Sequence, residues 1–504
     1  MIDTKALRQK ILDMAIKGKL VPQDPNDEPA SVLLERIRAE KQQLIKDGKI
    51  KKDKNDSVIF KGDDNRYYEN LPCGWSVSTL SQVTSSQLLN DGDWILSENM
   101  DPNGNVKLIQ LGSIGLMRYI DKGFKYLTED TFHKLSCTQI FPGYMLINRI
   151  ISDKMYACIL PQLEGKLITT VDTCWIAPKD EWYNLKYLMY FISSTVFQSI
   201  VLHVSSGTTR KRISKSDLIH LPIYLPPLSE QQRIVSRVDE LFEQIDIIEK
   251  NQADIDALYD EFRKRTLTLA IQGKLVPQDP NDELASVLIE RIRAEKKAKL
   301  GKKYVDSYIY KGDDNCYYEK VKNSVKEISE EIPFEIPESW RWIRVDNLFQ
   351  HNTGKALNSS NTQGVLHPYI TTSNVFWGHF SLDRVKEMHF TEDEFAKCSI
   401  VPGDLLVCEG GDVGRAAIWD KDIPMCIQNH IHRLRTYYPV CTPFYYFAFF
   451  VYKSIGLIGG KGIGIQGLSS GALGKLIFPL PPLAEQQRIV KQVDIILEKL
   501  KDED

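Results

Sequence analysis

The chain has 504 residues, of which 42% are hydrophobic and 26% charged, with a formal net charge of -3. That length exceeds one ordinary core, so two to four domains are expected, and any nucleic-acid role must come from local charge rather than from the total. No apolar run approaches the roughly 18 residues of a membrane span, and nine cysteines without a CxxC pair or a His cluster suggest reduced thiols in a cytoplasmic protein rather than a zinc site.

The opening "MIDTKALRQKILDMAIKGK" is amphipathic and charged throughout, unlike a secretory signal. Leu7, Ile11 and Met14 fall on one helical face. Gly18 then suits a helix C-cap and "VPQDP" a turn, as does Gly273 in the second copy, with Asp27 and Asp282 candidate N-caps for a further helix and Pro29 tolerated in the first turn of one copy. The segment Lys17–Lys41 returns as Gln272–Lys296 with three differences among 25 positions: Lys17/Gln272, Pro29/Leu284 and Leu34/Ile289. "KGDDNRYYE" (Lys61–Glu69) returns as "KGDDNCYYE" (Lys311–Glu319), and "LPPLSEQQRIV" (Leu225–Val235) as "LPPLAEQQRIV" (Leu480–Val490). Between these markers the halves diverge, apart from echoes such as "IFPGYML" against "IVPGDLL" and "LPCGW" against "IPESW".

The phase of the repeat is circular. The first "LPPLSEQQRIV" leads on to "GKLVPQDPND"; the second runs only to Asp504, and its matching continuation stands at the other end of the chain, so the termini are expected to meet. In the middle, Ile234, Val238, Leu241, Ile245 and Ile248 step by four and three, the a/d pattern of a coiled coil. Asn251 and Asp254 interrupt it, and Leu258, Phe262, Thr266 and Leu269 resume it. Two antiparallel helices joined by a tight polar turn are predicted. The second copy would be assembled from Ile489, Val493, Ile496 and Leu500 with Leu7, Ile11 and Met14. A helix that only packs against its own domain gives the same steps; two matching pairs at a half-chain spacing favour the spacer. Glu230–Asn251 would span roughly 33 Å of helix, close to one turn of B-DNA.

"LPPLSEQQRIVSRVDELFEQID" and "LPPLAEQQRIVKQVDIILEKL" resemble the conserved-region openings of specificity subunits of type I restriction-modification enzymes, and so does the plan of the whole chain. The resemblance implies two mixed α/β (α+β) target-recognition domains, at 46–228 and 301–483. An N-terminal helical segment (1–45), a central helical spacer (229–300) and a C-terminal helix (484–504) would frame them as antiparallel coiled coils in a circular pseudo-twofold. It further implies that each domain reads one half of a bipartite DNA site, and that the spacers set the gap and dock two methyltransferase subunits. Those partners would hold S-adenosylmethionine and a separate restriction subunit would cut DNA. This chain would bind no cofactor or metal and catalyse nothing. Consistently, we find no NPPY-type tetrapeptide, and "HNTGKALNSS" and "GGKGIGIQG" miss the final residue of a phosphate loop. Asp63–Asp64 and Asp313–Asp314 sit in turn chemistry rather than a metal site.

Short apolar runs ("YMLINRIIS", "KLITTVDTCWIA", "DLLVCEGG") suit strands. The densest positive cluster of the first domain is "SSGTTRKRISKSD", with Thr208, Thr209, Arg210, Lys211, Arg212 and Lys215 as candidate phosphate and base contacts. Lys461 and Gln466 occupy its glycine-rich counterpart. After each "PG" turn, Asn148, Arg149 and Lys154 in one half and Arg415 in the other are candidates, joined by Lys355, Asn374, Gln428 and Asn429 as base readers. Trp175, Trp182 and Trp377 are read as packing. Unlike fillings on near-identical frames imply two unlike half-sites, hence an asymmetric target. Two rival readings stay open at this point: a chain that itself modifies DNA, and a helical scaffold whose variable domains bind protein.

Overall fold

The computed structural model describes residues 2–50, 71–205, 211–357, 362–459 and 468–501. The chain forms two compact units, Met1–Gln252 and Ala253–Asp504. Their boundary falls inside one uninterrupted helix, Leu228–Ile271, of 44 residues, about 66 Å at 1.5 Å per residue. The predicted hairpin at Asn251–Asp254 is therefore absent. The helix contains no Gly or Pro, and an Asn or Asp inside a helix costs only about 0.7 kcal/mol or less relative to Ala. What the polar stretch interrupts is burial, since Ala253–Leu258 are all exposed.

In the first unit, the N-terminal helix (Thr4–Ile16) starts where the Asp3 carboxylate accepts the Ala6 N–H and buries Ile11, Leu12, Ala15 and Ile16. It runs antiparallel to the first half of the long helix: Arg8 bonds Asp246 at 2.5 Å, while Gln23, after the turn, bonds Glu230 at 3.1 Å. Of the predicted apolar positions, Ile234, Val238 and Ile245 are buried, with Leu241 and Leu7 packed at the margin of the same core. Ile248 is half-buried and Met14 exposed.

In the second unit the last helix (Leu483–Lys501) lies against the other half of the long helix. Ile489 and Val493 are buried, Ile496 and Leu500 half-buried. Here the predicted register holds only at Thr266: Leu258 and Phe262 are exposed and Leu269 half-buried, and Thr266 shares the buried face with Leu267, Ala270 and Ile271. That face follows the globular domain whose core it joins, with Trp340, Ala285 and Leu288 among its members, rather than a two-helix seam. The N-terminal stripe shares the first unit's core with the first half of the long helix.

The globular domains of the two units share one topology. In the first, an antiparallel sheet runs in the order Leu89–Asp91, Thr173–Ile176, Met145–Asn148, Ala157–Ile159. Beside it stands a mixed sheet of Phe124–Leu127, Val106–Ile109 and Lys166–Thr169, the last two parallel. In the second, Phe349–Thr353, Ile431–Thr436, Leu405–Cys408 and Ala416–Ile418 repeat the first sheet. Lys386–Phe390, Val365–Ile370 and Met425–Ile427 repeat the second, with Ser399–Ile400 added at the edge. Each predicted strand run contributes to these sheets, but "KLITTVDTCWIA" supplies one strand to each sheet with a turn between them, and Ile150–Ile151 of "YMLINRIIS" pairs apart, with Lys211–Arg212. Each domain is closed by pairing its incoming and outgoing strands, Ser76–Thr79 with Pro222–Leu225 and Arg341–Arg344 with Ile477–Leu480.

Asp313–Asp314 lie in the turn between Ser307–Lys311 and Tyr317–Val321, as expected, with Asn315 at φ 64°. Asp63–Asp64 fall outside the described residues. No single helix among the described residues is long and apolar enough to cross a membrane. The apolar Leu185–Ser193 helix is buried in the first unit's core.

Candidate nucleic-acid interface and its frame

The duplicated residues meet at one corner of each unit. Trp75 Nε1 donates to Glu230 at 2.9 Å, Gln23 Nε2 reaches the same carboxylate, and Arg233 grips Asp27 at 2.6 Å. In the second unit Trp340 donates to Glu485 at 2.9 Å, Gln278 to Glu485 at 2.7 Å, and Arg488 grips Asp282 at 2.6 Å. Gln231 and Gln486 accept the backbone N–H of Asn184 and Cys441, the residues that open the next apolar helix of each unit. Asp27 and Asp282 are therefore clamp residues rather than the predicted N-caps; the helices after them begin behind Pro29 and Leu284 with no side-chain cap. Gly18 and Gly273 hold φ of 63° and 69°, and a Cβ there would overlap Pro72 or Pro337. Burial pushes the Glu230 and Glu485 carboxyls up, while the Arg233 hydrogen bond holds Asp27 below the ordinary carboxylate range. Sequence reasoning missed this clamp, although its signal was present: the Gln, Asp, Glu, Arg and Trp recur unchanged where neighbouring segments diverge.

Several predicted DNA contacts prove to be internal. Arg149 is 4% exposed, with its guanidinium spent on the carbonyls of Val171 and Ile213 and beside Asp91. Asn148 is buried, its side-chain oxygen accepting the Ile150 N–H. Asn374, also buried, accepts from Thr371 N and donates to the carbonyls of Ser381 and Arg384. Lys355 bonds Glu394 at 2.6 Å and the His389 carbonyl at 2.8 Å. Arg415 donates to the Thr372 carbonyl and lies over the Phe376 ring. Each was chosen for its chemical type, but a strand end or turn claims the side chain first, because a buried donor left unpaired costs about 1–3 kcal/mol.

The rest reach the surface. Lys211 and Arg212 are exposed on a short strand paired with Ile150–Ile151, and Arg212 meets Asp172 at 2.8 Å. Lys154 is half-buried, and Lys215 bonds Asn90 at 2.6 Å. Gln428 and Asn429 are half-exposed in the turn before Ile431–Thr436, and neither amide has a side-chain hydrogen bond among the described residues. Thr208, Thr209, Arg210, Lys461 and Gln466 lie outside the described residues. Trp175 and Trp182 are buried and Trp377 packs on Tyr446 and Phe450, as read from the sequence.

Just beyond the Gln428 turn, His351 Nε2 and His432 Nδ1 stand 2.8 Å apart, and His432 Nε2 lies 2.6 Å from the Leu468 carbonyl. A carbonyl only accepts, so His432 carries its proton on Nε2 and receives the His351 N–H. Burial, reinforced by His432, pulls His351 down from 6.5 to about 4. The unfolded chain therefore binds this proton first, and the stability contributed by neutral His351 is full above pH 6.5 and lost as pH falls towards 4. We expect a loss on the order of 2–3 kcal/mol across that window. Denaturant titrations of wild type and His351→Gln should show a steeper slope in the first, because His432, also held down by burial, keeps its own share in the variant.

The family model of the type I restriction modification DNA specificity domain matches residues 72–257 and 337–503, most of the chain. The specificity subunit of the type I restriction enzyme EcoAI of Escherichia coli is 27% identical, over 98% of this chain and 89% of that protein. The EcoEI specificity subunit of Escherichia coli is also 27% identical, over 82% of this chain and 74% of that protein. A chain from a solved type I restriction-modification system, described for its complex assembly and conformational transition, shares the fold with a TM-score of 0.53. It is 19% identical, covering 86% of this chain and 92% of the other. The chain belongs to the specificity subunits of type I restriction-modification enzymes.

Proposed function

We propose that this chain selects the DNA sequence for a type I restriction-modification complex, each unit reading one half of a bipartite, asymmetric site. The observation that carries this reading is the contrast within the molecule. Two units of one topology are held by the same clamp, side chain for side chain, yet present unlike surfaces. Symmetry in the frame suits two copies of one partner, a methyltransferase subunit, and asymmetry in the fillings suits two different half-sites. Lys154, Lys211 and Arg212 supply positive charge to the first unit's surface, and Gln428 and Asn429 supply paired donor–acceptor groups to the second. The reaction belongs to the partners: adenine methylation drawing on their S-adenosylmethionine, and cleavage by a restriction subunit, with the assembly working on cytoplasmic DNA.

The test is a methylome. The full chain is co-expressed with the methyltransferase encoded beside it, and N6-methyladenine is mapped by long-read sequencing. A split, asymmetric motif with its modified adenines about one helical turn apart is expected. A soluble complex that yields no motif would count decisively against sequence recognition and for a protein-binding scaffold.

A further inference from the structure

The two recognition domains are superimposable, bond for bond, at one turn. In the first unit Asp93 N–H donates to Thr169 O, Val171 N–H to Asp93 O, Thr173 N–H to Thr170 O and Arg149 N–H to Asp172 O, all at 2.9 Å. In the second, Lys355 N–H donates to Ile427 O, Asn429 N–H to Lys355 O, Ile431 N–H to Gln428 O and Glu409 N–H to His430 O, at 3.0–3.1 Å. Asp93 bridges Thr170 in the parallel sense, and Lys355 bridges Gln428 likewise. Gly92 and Gly354 precede these bridges, and a Cβ on either would overlap the carbonyl of Thr169 or Ile427. The backbone of this turn is thus fixed twice by the same contacts.

Its side chains are not. One unit places Thr170, Val171 and Asp172 there, the other Gln428, Asn429 and His430. Around the first copy stand Arg212, paired with Asp172, and Trp94, which is 67% exposed. At the second, Gln428 and Asn429 are unbonded through their side chains among the described residues, and His430 faces Glu409 at 3.7 Å. A rigid turn carrying different side chains in each copy, most of them polar, at the seam between two sheets, is the arrangement that direct readout of bases needs.

We infer that this turn is the specificity-determining element of each unit, Thr170–Asp172 in the first and Gln428–His430 in the second, and that it takes the base edges of duplex DNA. Side-chain amides match the adenine N6/N7 edge, which assigns adenine to Gln428 or Asn429. Asp172 orients the Arg212 guanidinium, whose fork matches guanine O6/N7.

The inference rests on the proposed DNA reading, and the experiment separates the two. Methylomes are recorded for the wild-type complex, Gln428→Ala/Asn429→Ala and Asp172→Ala. A wild type without a bipartite motif would sink the DNA reading itself. Given a wild-type motif, the double variant should relax discrimination at positions of one half only, by roughly 5- to 150-fold per base read, and Asp172→Ala should relax the other half. An unchanged motif in both variants would overturn the assignment of the turn while leaving the DNA reading intact. Where a variant is insoluble, Gln428→Glu and Asn429→Asp, matched in size, replace it. Uniform loss of methylation from a soluble complex would also overturn the inference, because the residues would then serve the frame and not the choice of base.

Discussion

Trp75→Ala is expected to unfold the first unit's corner, and Trp340→Ala the second's, each leaving the other unit's amides as protected as before. Removing a buried Trp costs about 3–5 kcal/mol, and here it also strips a donor from a carboxyl that is 1% exposed in each copy, Glu230 or Glu485. Since whole domains are held by about 5–15 kcal/mol, a loss of that size is a large fraction of the total. Trp75→Phe keeps most of the ring burial and loses only the hydrogen bond, so about 1–3 kcal/mol is expected. Peptide-resolved hydrogen exchange on the full chain measures both. Equal loss of protection in the two units after Trp75→Ala would contradict two independent clamps.

Four helix-forming residues inserted between Gln252 and Ala253 are expected to lengthen the gap between the recognised half-sites by about one to two base pairs. The insertion adds roughly 6 Å of helix, set against 3.4 Å per base step. Gln252 and Ala253 lie at the unit boundary, and Ala253–Leu258 are exposed, so no buried register is shifted. The same insertion placed between Val238 and Ile245 would displace one from the other by roughly 6 Å along the helix, out of register with the core they share, and is expected to destabilise that unit instead. The methylome reads the outcome. A motif with the old gap would show that the long helix does not act as the ruler.

Much of the frame was legible because its signals are covalent and local. The two copies of "GKLVPQDPND", the circular phase and the short β-branched runs all correspond to repeated structure. The hairpin was misread because apolar periodicity reports burial, not continuity: Asn251 and Asp254 lose their neighbours without losing their helical backbone. Leu258 and Phe262 show the converse, apolar residues in phase with a heptad that nothing in their own unit's core covers. The candidate interface was less legible still. Arg149, Lys355 and Asn374 have the chemistry of base readers, but whether such a group faces outward depends on which strand end it occupies, and that is decided by residues dozens of positions away. Gln428 and Asn429 were visible as types. Thr170–Asp172, their counterparts, were not, since only the shared hydrogen bonds of two diverged domains align them.

The duplicated clamp has a genetic consequence. A recognition domain moved from one position to the other meets the same Trp, Gln, Asp, Glu and Arg contacts that it left. The segments flanking it differ at only three of 25 positions on the near-identical side, so a crossover there joins partners already fitted to each other. Exchange of the two fillings within this twofold frame would return the same duplex site read from the other strand, whereas a filling brought in from another such chain would join one old half-site to one new.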